Sequence, residues 1–298
     1  MIETSLPTPE ILSLWNRLFP PYPLDWRLFE QNTVAHWQQE GRQILVDRHG
    51  DQAVGLLMVT PGSSAPCIDA LGVLPEYRRQ GRATALLEAG LAGLETVFVG
   101  GSLSHFLPGI PAEFEKSTGF FRKRDFQTVE CSVDLAQDLT PRHGPFESCG
   151  PGQVPALLAM LEREFPGRWS RDTRHRLELE GNLEDVVIVR EGDEVLGFCH
   201  TWHSGNRWLG PSTYWVRHQP LAWGGIGPVG MAAAARGRGL GQRMLAESLN
   251  YLSHRRVGRV VVDWTTLVDF YGRAGFEVCR SYTRMARRKP GGPGMAAP

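Results

Sequence analysis

Two short stretches of this chain have the residue types that hold phosphate. One is Arg78-Arg79-Gln80-Gly81-Arg82-Ala83, and the other is Arg236-Gly237-Arg238-Gly239-Leu240-Gly241. Each joins a strand-like stretch to a helix-like one. A glycine entering a helix lets the backbone bend tightly and puts no Cβ in the way of a ligand. The first-turn N–H groups of a helix have no internal partner. With the helix dipole they form a site for a phosphate or pyrophosphate, and flanking arginines add charge-assisted hydrogen bonds. Taken singly, such a turn reads as an ordinary basic loop. Neither turn runs on into G-K-[ST], so a nucleotide-triphosphate loop is excluded. G-R-G-L-G lacks the G-x-G-x-x-G spacing, and no acid is placed to read a ribose.

The elements that must position these turns also occur twice. At an offset of 158 and without gaps, Ile68 meets Ile226, Gly72 meets Gly230, Arg78 meets Arg236 and Gly81 meets Gly239. An apolar stripe at helical spacing follows each turn: Ala83, Leu86, Leu87, Gly90, Leu91 and Leu94, then Leu240, Met244, Leu245, Ser248, Leu249 and Leu252. Upstream, Phe-Pro closes a helix-like stretch at Phe19-Pro20 and again at Phe165-Pro166, with Trp26 and Trp169 soon after. Strand pairs follow at 43–46 and 54–60, and at 185–189 and 195–202, with hairpin turns at His49–Asp51 and Glu191–Glu194. Downstream come strands at 96–100 and 259–264, then FFRKRDF from Phe120 and FYGRAGF from Phe270.

A pattern that recurs in the same order predicts an α/β chain with a mixed (α+β) sheet, built as two tandem domains. The Pro- and Gly-rich stretch 141–152 marks the boundary. The expected domains are residues 1–140 and 144–289, with 290–298 a disordered tail.

V-L-P-E-Y-R-R-Q-G-R-A, an amphipathic helix and then F-Y-x-x-x-G-F resemble the GNAT superfamily, the Gcn5-related N-acetyltransferases. The resemblance covers about residues 5–137 and 144–285. In its tandem architecture the chain is similar to the mycothiol synthase branch. The resemblance implies two GNAT-like acyl-CoA N-acyltransferase domains, each with a splayed pair of central strands that acetyl-CoA enters. It implies that the pyrophosphate rests on Arg78, Arg79, Gln80, Gly81, Arg82 and Ala83, or on Arg236, Gly237, Arg238, Gly239, Leu240 and Gly241. The pantetheine would pair with the strand just before, at Leu71, Gly72 and Val73 or at Val229, Gly230 and Met231. A small-molecule or peptide amine would attack the thioester directly. A backbone N–H would steady the oxyanion, a base would take the ammonium proton, and a tyrosine would protonate the departing thiolate.

The halves differ at the positions that matter for this chemistry. Tyr271 matches the family's general acid and lies against the cofactor; the first half has Phe121 there, and Asp125 in place of Gly275. The linker before the second turn is the alanine run Ala232–Ala235, further from the family pattern than V-L-P-E-Y. The second half is therefore expected to do the chemistry. Its base is open among His200, His203 and Asp263, or a water-mediated group. His200 and His203 fall on opposite faces of an alternating strand. The interval Gly197–Gly230 exceeds Gly55–Gly72, and its extra Trp-rich segment reads either as a cover for an acceptor pocket or as a long hairpin on the other domain. The first half instead carries an insertion with His105, which reads as a loop histidine.

Composition bounds the alternatives. Lys and Arg number 32 and Asp and Glu number 32, so no global field draws a nucleic acid or an anionic membrane. The basic cluster 286–290 is short. Five scattered cysteines with no C-x-x-C suggest neither a zinc site nor a disulfide framework, and no metal site is expected. They fit free thiols in a cytoplasmic protein. The first residues lack the pattern of a secretion signal, and no apolar run is long enough to span a bilayer. A non-catalytic acyl-CoA-binding or sensing protein is the alternative to the enzyme.

Overall fold

The computed structural model describes residues 1–34, 41–61, 66–94, 96–217 and 222–288. The tail expected to be disordered, 290–298, lies outside them. The elements run in chain order as follows. Strand β1 is Ile2–Ser5, followed by helices α1 (Pro9–Leu18) and α2 (Trp26–Thr33). Next come β2 (Gln43–His49), β3 (Gln52–Thr60), β4 (Cys67–Val73), α3 (Arg82–Gly90), β5 (Val97–Val99), β6 (Ile110–Pro111) and α4 (Thr118–Arg122). The second run is β7 (Gln127–Asp138), β8 (Ser148–Cys149), α5 (Val154–Glu164), α6 (Arg168–Glu180), β9 (Leu183–Glu191) and β10 (Glu194–His203). It ends with β11 (Trp223–Met231), α7 (Leu240–His254), β12 (Arg259–Thr265), α8 (Val268–Gly272) and β13 (Glu277–Arg287).

The two compact units do not follow a single cut in the chain. One comprises Met1–Ser132 with Ser281–Pro298, and the other Val133–Arg280. The N-terminal unit has the sheet order β1-β2-β3-β4-β5-β13, and the C-terminal unit β7-β12-β11-β10-β9-β8. Thus Met285 of β13 pairs with Val99 of β5, and Leu135 of β7 pairs with Val262 of β12. Each of these two long strands begins in one unit and ends in the other. The hydrophobic pattern of such a strand specifies which face is buried and does not specify its neighbour.

Within each unit the local reasons are the same. The hairpins β2–β3 and β9–β10 close through two-residue turns, with Gly50 and Gly192 at positive φ. The stripe on α3 buries Leu86 and Leu87 against Leu57, Val59 and Ile68. Gly90 on α3 is a close-approach glycine, since a Cβ there would lie 2.4 Å from Leu57. The stripe on α7 buries Met244, Leu245, Leu249 and Leu252 against Val187, Ile226 and Val260. Burying four such side chains contributes roughly 6–12 kcal/mol before chain entropy is counted.

Parallel pairing between the central strands stops early in both units. In the N-terminal unit Cys67 pairs with Phe98 and Ile68 with Val99, and β4 then runs on to Val73 alone on that side. In the C-terminal unit the last parallel pair is Ile226 with Val262, while β11 continues to Met231. A register shift on the opposite edge falls at the same place, between Met58 and Val59 and between Cys199 and Thr201. Bulges of this kind bend a strand and redirect its side chains.

Candidate active site

At the head of each central helix the two turns adopt one geometry. Gly81 caps α3 at φ 77° and Gly239 caps α7 at φ 76°. A Cβ at either would meet nothing within 4 Å, so both glycines front open space. Two residues earlier, Arg79 and Gly237 also share positive φ, at 63° and 75°. Neither helix has a side-chain cap or an acid in its first turn. The first-turn N–H groups are left for an anion. At the head of α3 an open groove of ~630 Å³ is lined by Gln80, Gly81, Arg82 and Ala85, with Asp47 opposite. These features fit a pyrophosphate.

The arginines of the turns hold the fold as well. Arg78 Nε donates to the Val73 carbonyl at 2.8 Å, and Arg236 Nε donates to the Met231 carbonyl at 3.1 Å. Each ties the turn back to the end of the strand. Arg82 is engaged with Asp47 at 2.7 Å, and Arg238 with Glu191.

The strand glycines Gly72 and Gly230 serve packing. A Cβ on Gly72 would lie 3.1 Å from Phe19, and one on Gly230 would lie 2.5 Å from Phe198 and 2.9 Å from Phe165. The two Phe-Pro helix ends are therefore what presses on these strands. Leu71 and Val73, like Val229 and Met231, sit where no strand pairs on the splayed side. Their backbone edge is open to a ligand that takes the place of a strand.

Asp263 and Tyr271 both belong to the C-terminal unit, and the charge of Asp263 reaches the Tyr271 phenol. Asp263 stands one residue beyond the last parallel pair, with Oδ1 3.6 Å from where a Cβ of Gly227 would be. Burial is the main cause that pushes its carboxyl up to about 7; Asp134 adds to the rise and Arg168 opposes it. Tyr271 is 5% exposed, held by Phe270 and Phe276 in edge contacts. Burial raises its phenol above the ordinary range, and Cys199 and Asp263 add to that. Its hydroxyl makes no hydrogen bond to any described residue. The pair is thus a carboxyl that titrates near neutrality and a phenol that keeps its proton.

The two histidines belong to other clusters. His200 is fully buried between Phe198 and Trp202. The Thr173 hydroxyl donates to Trp169 O at 2.8 Å, so it accepts from His200 Nε2 at 3.0 Å. Burial, and then the charge of Arg176, holds this imidazole well below its ordinary range. His203 lies on the opposite face, as alternation requires. Its Nδ1 accepts from the Gly205 N–H and its Nε2 meets Asp185 at 3.0 Å. Asp185 also accepts from Tyr251 and Asn206. Burial pushes the Asp185 carboxyl up, but the bonds from His203 and Tyr251 and the charge of Arg176 outweigh it and hold it low. His200 and His203 each lie in a separate hydrogen-bonded cluster, and the charge of Asp263 acts on Tyr271.

Among the described residues the Trp-rich segment has no strand between β10 and β11. From His203 it forms a coil with a short 3-10 turn at Pro211–Thr213, and it packs Ser212 and Thr213 against Gly225 of β11. Residues 218–221 of it lie outside the described residues. In the N-terminal unit His105 is a buried loop histidine, with Nδ1 3.0 Å from Ser102 O.

Sequence reasoning missed a buried network in that unit. Arg42 Nε lies 3.2 Å from Asp69 Oδ2, and both side chains are at 1% exposure or less. Thr60 donates to Asp69 at 2.6 Å, Ser102 donates to its other oxygen, and Arg42 Nη2 reaches Ser104 O at 3.0 Å. The available signal was an acid inside the apolar strand I-D-A-L-G-V.

All five cysteines are free. Among the described residues no group of three His, Cys, Asp or Glu is placed to hold a metal ion, and no helix is long and apolar enough to cross a membrane.

Comparison with known proteins fits this geometry. The model of the acetyltransferase (GNAT) family matches twice, over residues 9–126 and 154–276. A mycothiol acetyltransferase of Mycobacterium sp. (strain JLS) is 25% identical over 259 residues, 79% of either chain. One from Pseudarthrobacter chlorophenolicus is 25% identical over 245 residues, 76% of this chain and 72% of that one. Among solved structures, a GCN5-related glucosamine N-acetyltransferase region of a fungal multi-domain GH3 β-N-acetylglucosaminidase superposes with a TM-score of 0.83 at 23% identity. It covers 96% of this chain, which spans 38% of that one. A tandem GNAT protein from the clavulanic acid biosynthesis pathway gives 0.66 at 15% identity, covering 99% of both chains. The chain belongs to the acetyltransferase (GNAT) family, with one copy of the domain in each half.

Proposed function

We propose that the protein is an acetyl-CoA-dependent N-acetyltransferase whose C-terminal unit acts on a primary amine. One observation carries this. Where β11 and β12 part, a carboxyl pushed up to about 7 stands over a glycine, and its charge reaches a buried tyrosine whose phenol is raised above its ordinary range. Bound acetyl-CoA supplies an activated acetyl group, and the amine attacks its thioester directly. The α7 first-turn N–H groups and Arg236 hold the pyrophosphate. The open edge of Val229 to Met231 orients the pantetheine, and a backbone N–H there donates to the developing oxyanion. Asp263 Oδ1 accepts the ammonium proton, which a carboxylate titrating near the working pH does efficiently. Tyr271 Oη holds the proton that goes to the departing sulfur.

The acceptor is a small molecule or a peptide. The likeness to proteins named mycothiol acetyltransferase and to a glucosamine N-acetyltransferase region supports a small amine. A CoA-release assay across a panel of amino sugars, aminoglycosides, amino acids and peptides tests the reading. Turnover lost in Asp263→Asn and Tyr271→Phe supports it. Acetyl-CoA binding with no turnover on any acceptor makes the protein an acyl-CoA sensor instead.

A further inference from the structure

Trp264, the residue after Asp263, is held in a conformation that bulky side chains rarely adopt. Its φ is 43°, and the β12–β7 register shifts between Val262 and Thr265 around it. The N-terminal unit has Gly101 at that point, with φ 76°. Glycine reaches this region without strain and tryptophan does not, so something must hold Trp264 there. Asp134 on β7 is that restraint. Its Oδ1 accepts the Trp264 N–H at 3.1 Å, and its side chain is 3% exposed. The bond falls on the peptide joining Trp264 to Asp263. It therefore fixes the turn that sets the Asp263 carboxyl over Gly227.

We infer that Asp134 is a positioning residue for Asp263: it pins the Asp263–Trp264 peptide so that the carboxyl faces the slot, and it places a second carboxylate beside it. This rests on the reading of Asp263 as the base. Two nearby carboxylates disfavour each other's ionisation, so the same side chain that aims Asp263 also tunes it. The groups facing Asp263 are Asp134 on β7, Arg168 on α6 and Tyr271 on α8. Arg168 lies over the Trp264 ring at 5.6 Å and is bonded to Asp172. Against Asp134 stand Arg280, at 3.9 Å from Oδ2, and Cys279, whose Sγ meets the Asp134 carbonyl at 3.4 Å.

Carbon-13 NMR of the full chain labelled at aspartate Cγ reads Asp263 directly and requires no acceptor. The Asp263 signal is assigned by its loss in Asp263→Asn. Asp134→Asn keeps an oxygen for the Trp264 N–H and removes the charge. It should move the Asp263 midpoint down by about 1 pH unit or more. Arg280→Gln, on a partly exposed side chain, removes the cation beside Asp134 and should move the midpoint up. The acid limb of CoA release should follow both shifts. Asp134→Ala, which also loses the peptide bond's acceptor, should lower kcat further while the KM for acetyl-CoA holds. A midpoint unchanged by both charge variants overturns the role of Asp134 while leaving Asp263 as base. A wild-type midpoint at the ordinary aspartate value, or full turnover in Asp263→Asn, instead overturns the base reading itself.

Discussion

Asp69 and Gly227 occupy the same position in their two sheets, each one residue beyond the last parallel pair of the central strands. The facing strand inverts the arrangement. Opposite Asp69 stands Gly100, at φ 81°, where a Cβ would lie 2.6 Å from the Gly109 backbone. Opposite Gly227 stands Asp263. Each splay thus holds one carboxyl, contributed by opposite strands. In the N-terminal unit it is neutralised by Arg42 and saturated by Thr60 and Ser102. In the C-terminal unit it has no such cation bonded to it and titrates near 7. A base works best when its carboxyl titrates near the working pH, and burial raises the Asp263 carboxyl to about 7.

Tyr271→Phe keeps the ring in its contacts with Phe270 and Phe276 and removes the hydroxyl. Losing a general acid lowers a rate by about 10²–10⁴. We expect kcat to fall in that range with acetyl-CoA affinity nearly unchanged. Phe121→Leu should leave kcat within a few-fold. Full activity in Tyr271→Phe, with activity abolished when the N-terminal turn is blocked, would place the chemistry in the N-terminal unit and overturn this assignment.

Asp263 also sets a pH dependence of stability. Its folded value is raised to about 7 from 3.8. Between those values the native state binds the extra proton, so this group's contribution to stability falls as pH rises through that window and is unfavourable above it. Asp263→Asn removes the ionisable group. Its melting temperature should exceed wild type at pH 8.5, and the advantage should shrink towards pH 5. Equal differences at the two pH values would show that Asp263 titrates normally.

The glycine turns give a stoichiometry experiment. Gly239→Trp puts an indole into open space in front of the α7 N–H groups and requires a left-handed tryptophan, at about 1–2 kcal/mol of strain. Calorimetry should show CoA binding lost from the C-terminal unit, and Gly81→Trp should do the same for the N-terminal one. Binding untouched by Gly81→Trp means that the first turn holds no CoA. Arg236→Ala should raise the KM for acetyl-CoA. It should also lower the melting temperature by a small amount, because Nε ties the turn to Met231 O. A loss of stability with no change in KM would make that arginine purely structural.

Much of this was legible in the residues. Gly81 and Gly239 read as tight helix entries with no Cβ in the way, and both take positive φ; the stripes on α3 and α7 were plain at helical spacing. Asp125 was read as a departure from Gly275, yet both take positive φ, at 64° and 92°; aspartate tolerates that region, so the turn survives the change. Asp263 was one of three open candidates for the base. The neighbours of Asp263, His200 and His203 come from other elements, and alternation along one strand does not carry that. Asp134 and Arg42 were out of reach for the same reason: Asp134 lies 129 positions from Asp263, and Arg42 27 positions from Asp69. The exchange of β7 and β13 between sheets was likewise hidden, because pairing partners are chosen by strands far along the chain.

The buried Arg42–Asp69 pair yields the last prediction. Removing one partner of a buried ion pair leaves an uncompensated charge and costs about 3–5 kcal/mol. Asp69→Ala removes the carboxylate 3.2 Å from Arg42 Nε and takes away the acceptor of the Thr60 and Ser102 hydroxyls, which keep only their bonds from Arg42. Urea unfolding should show that loss. If the two units unfold in separate steps, it should fall on one of them and leave the other in place. Arg42→Met combined with Asp69→Leu replaces both charges with apolar volume and should recover most of the stability, since such pairs are often matched or bettered by hydrophobic substitutes. Below the melting point, CoA release by folded Asp69→Ala should stay within a few-fold of wild type, because its carboxyl is bound to Arg42 and Thr60 in the N-terminal unit. A drop in turnover as deep as that of Asp263→Asn, in protein still folded by circular dichroism, would place a working base in the N-terminal unit.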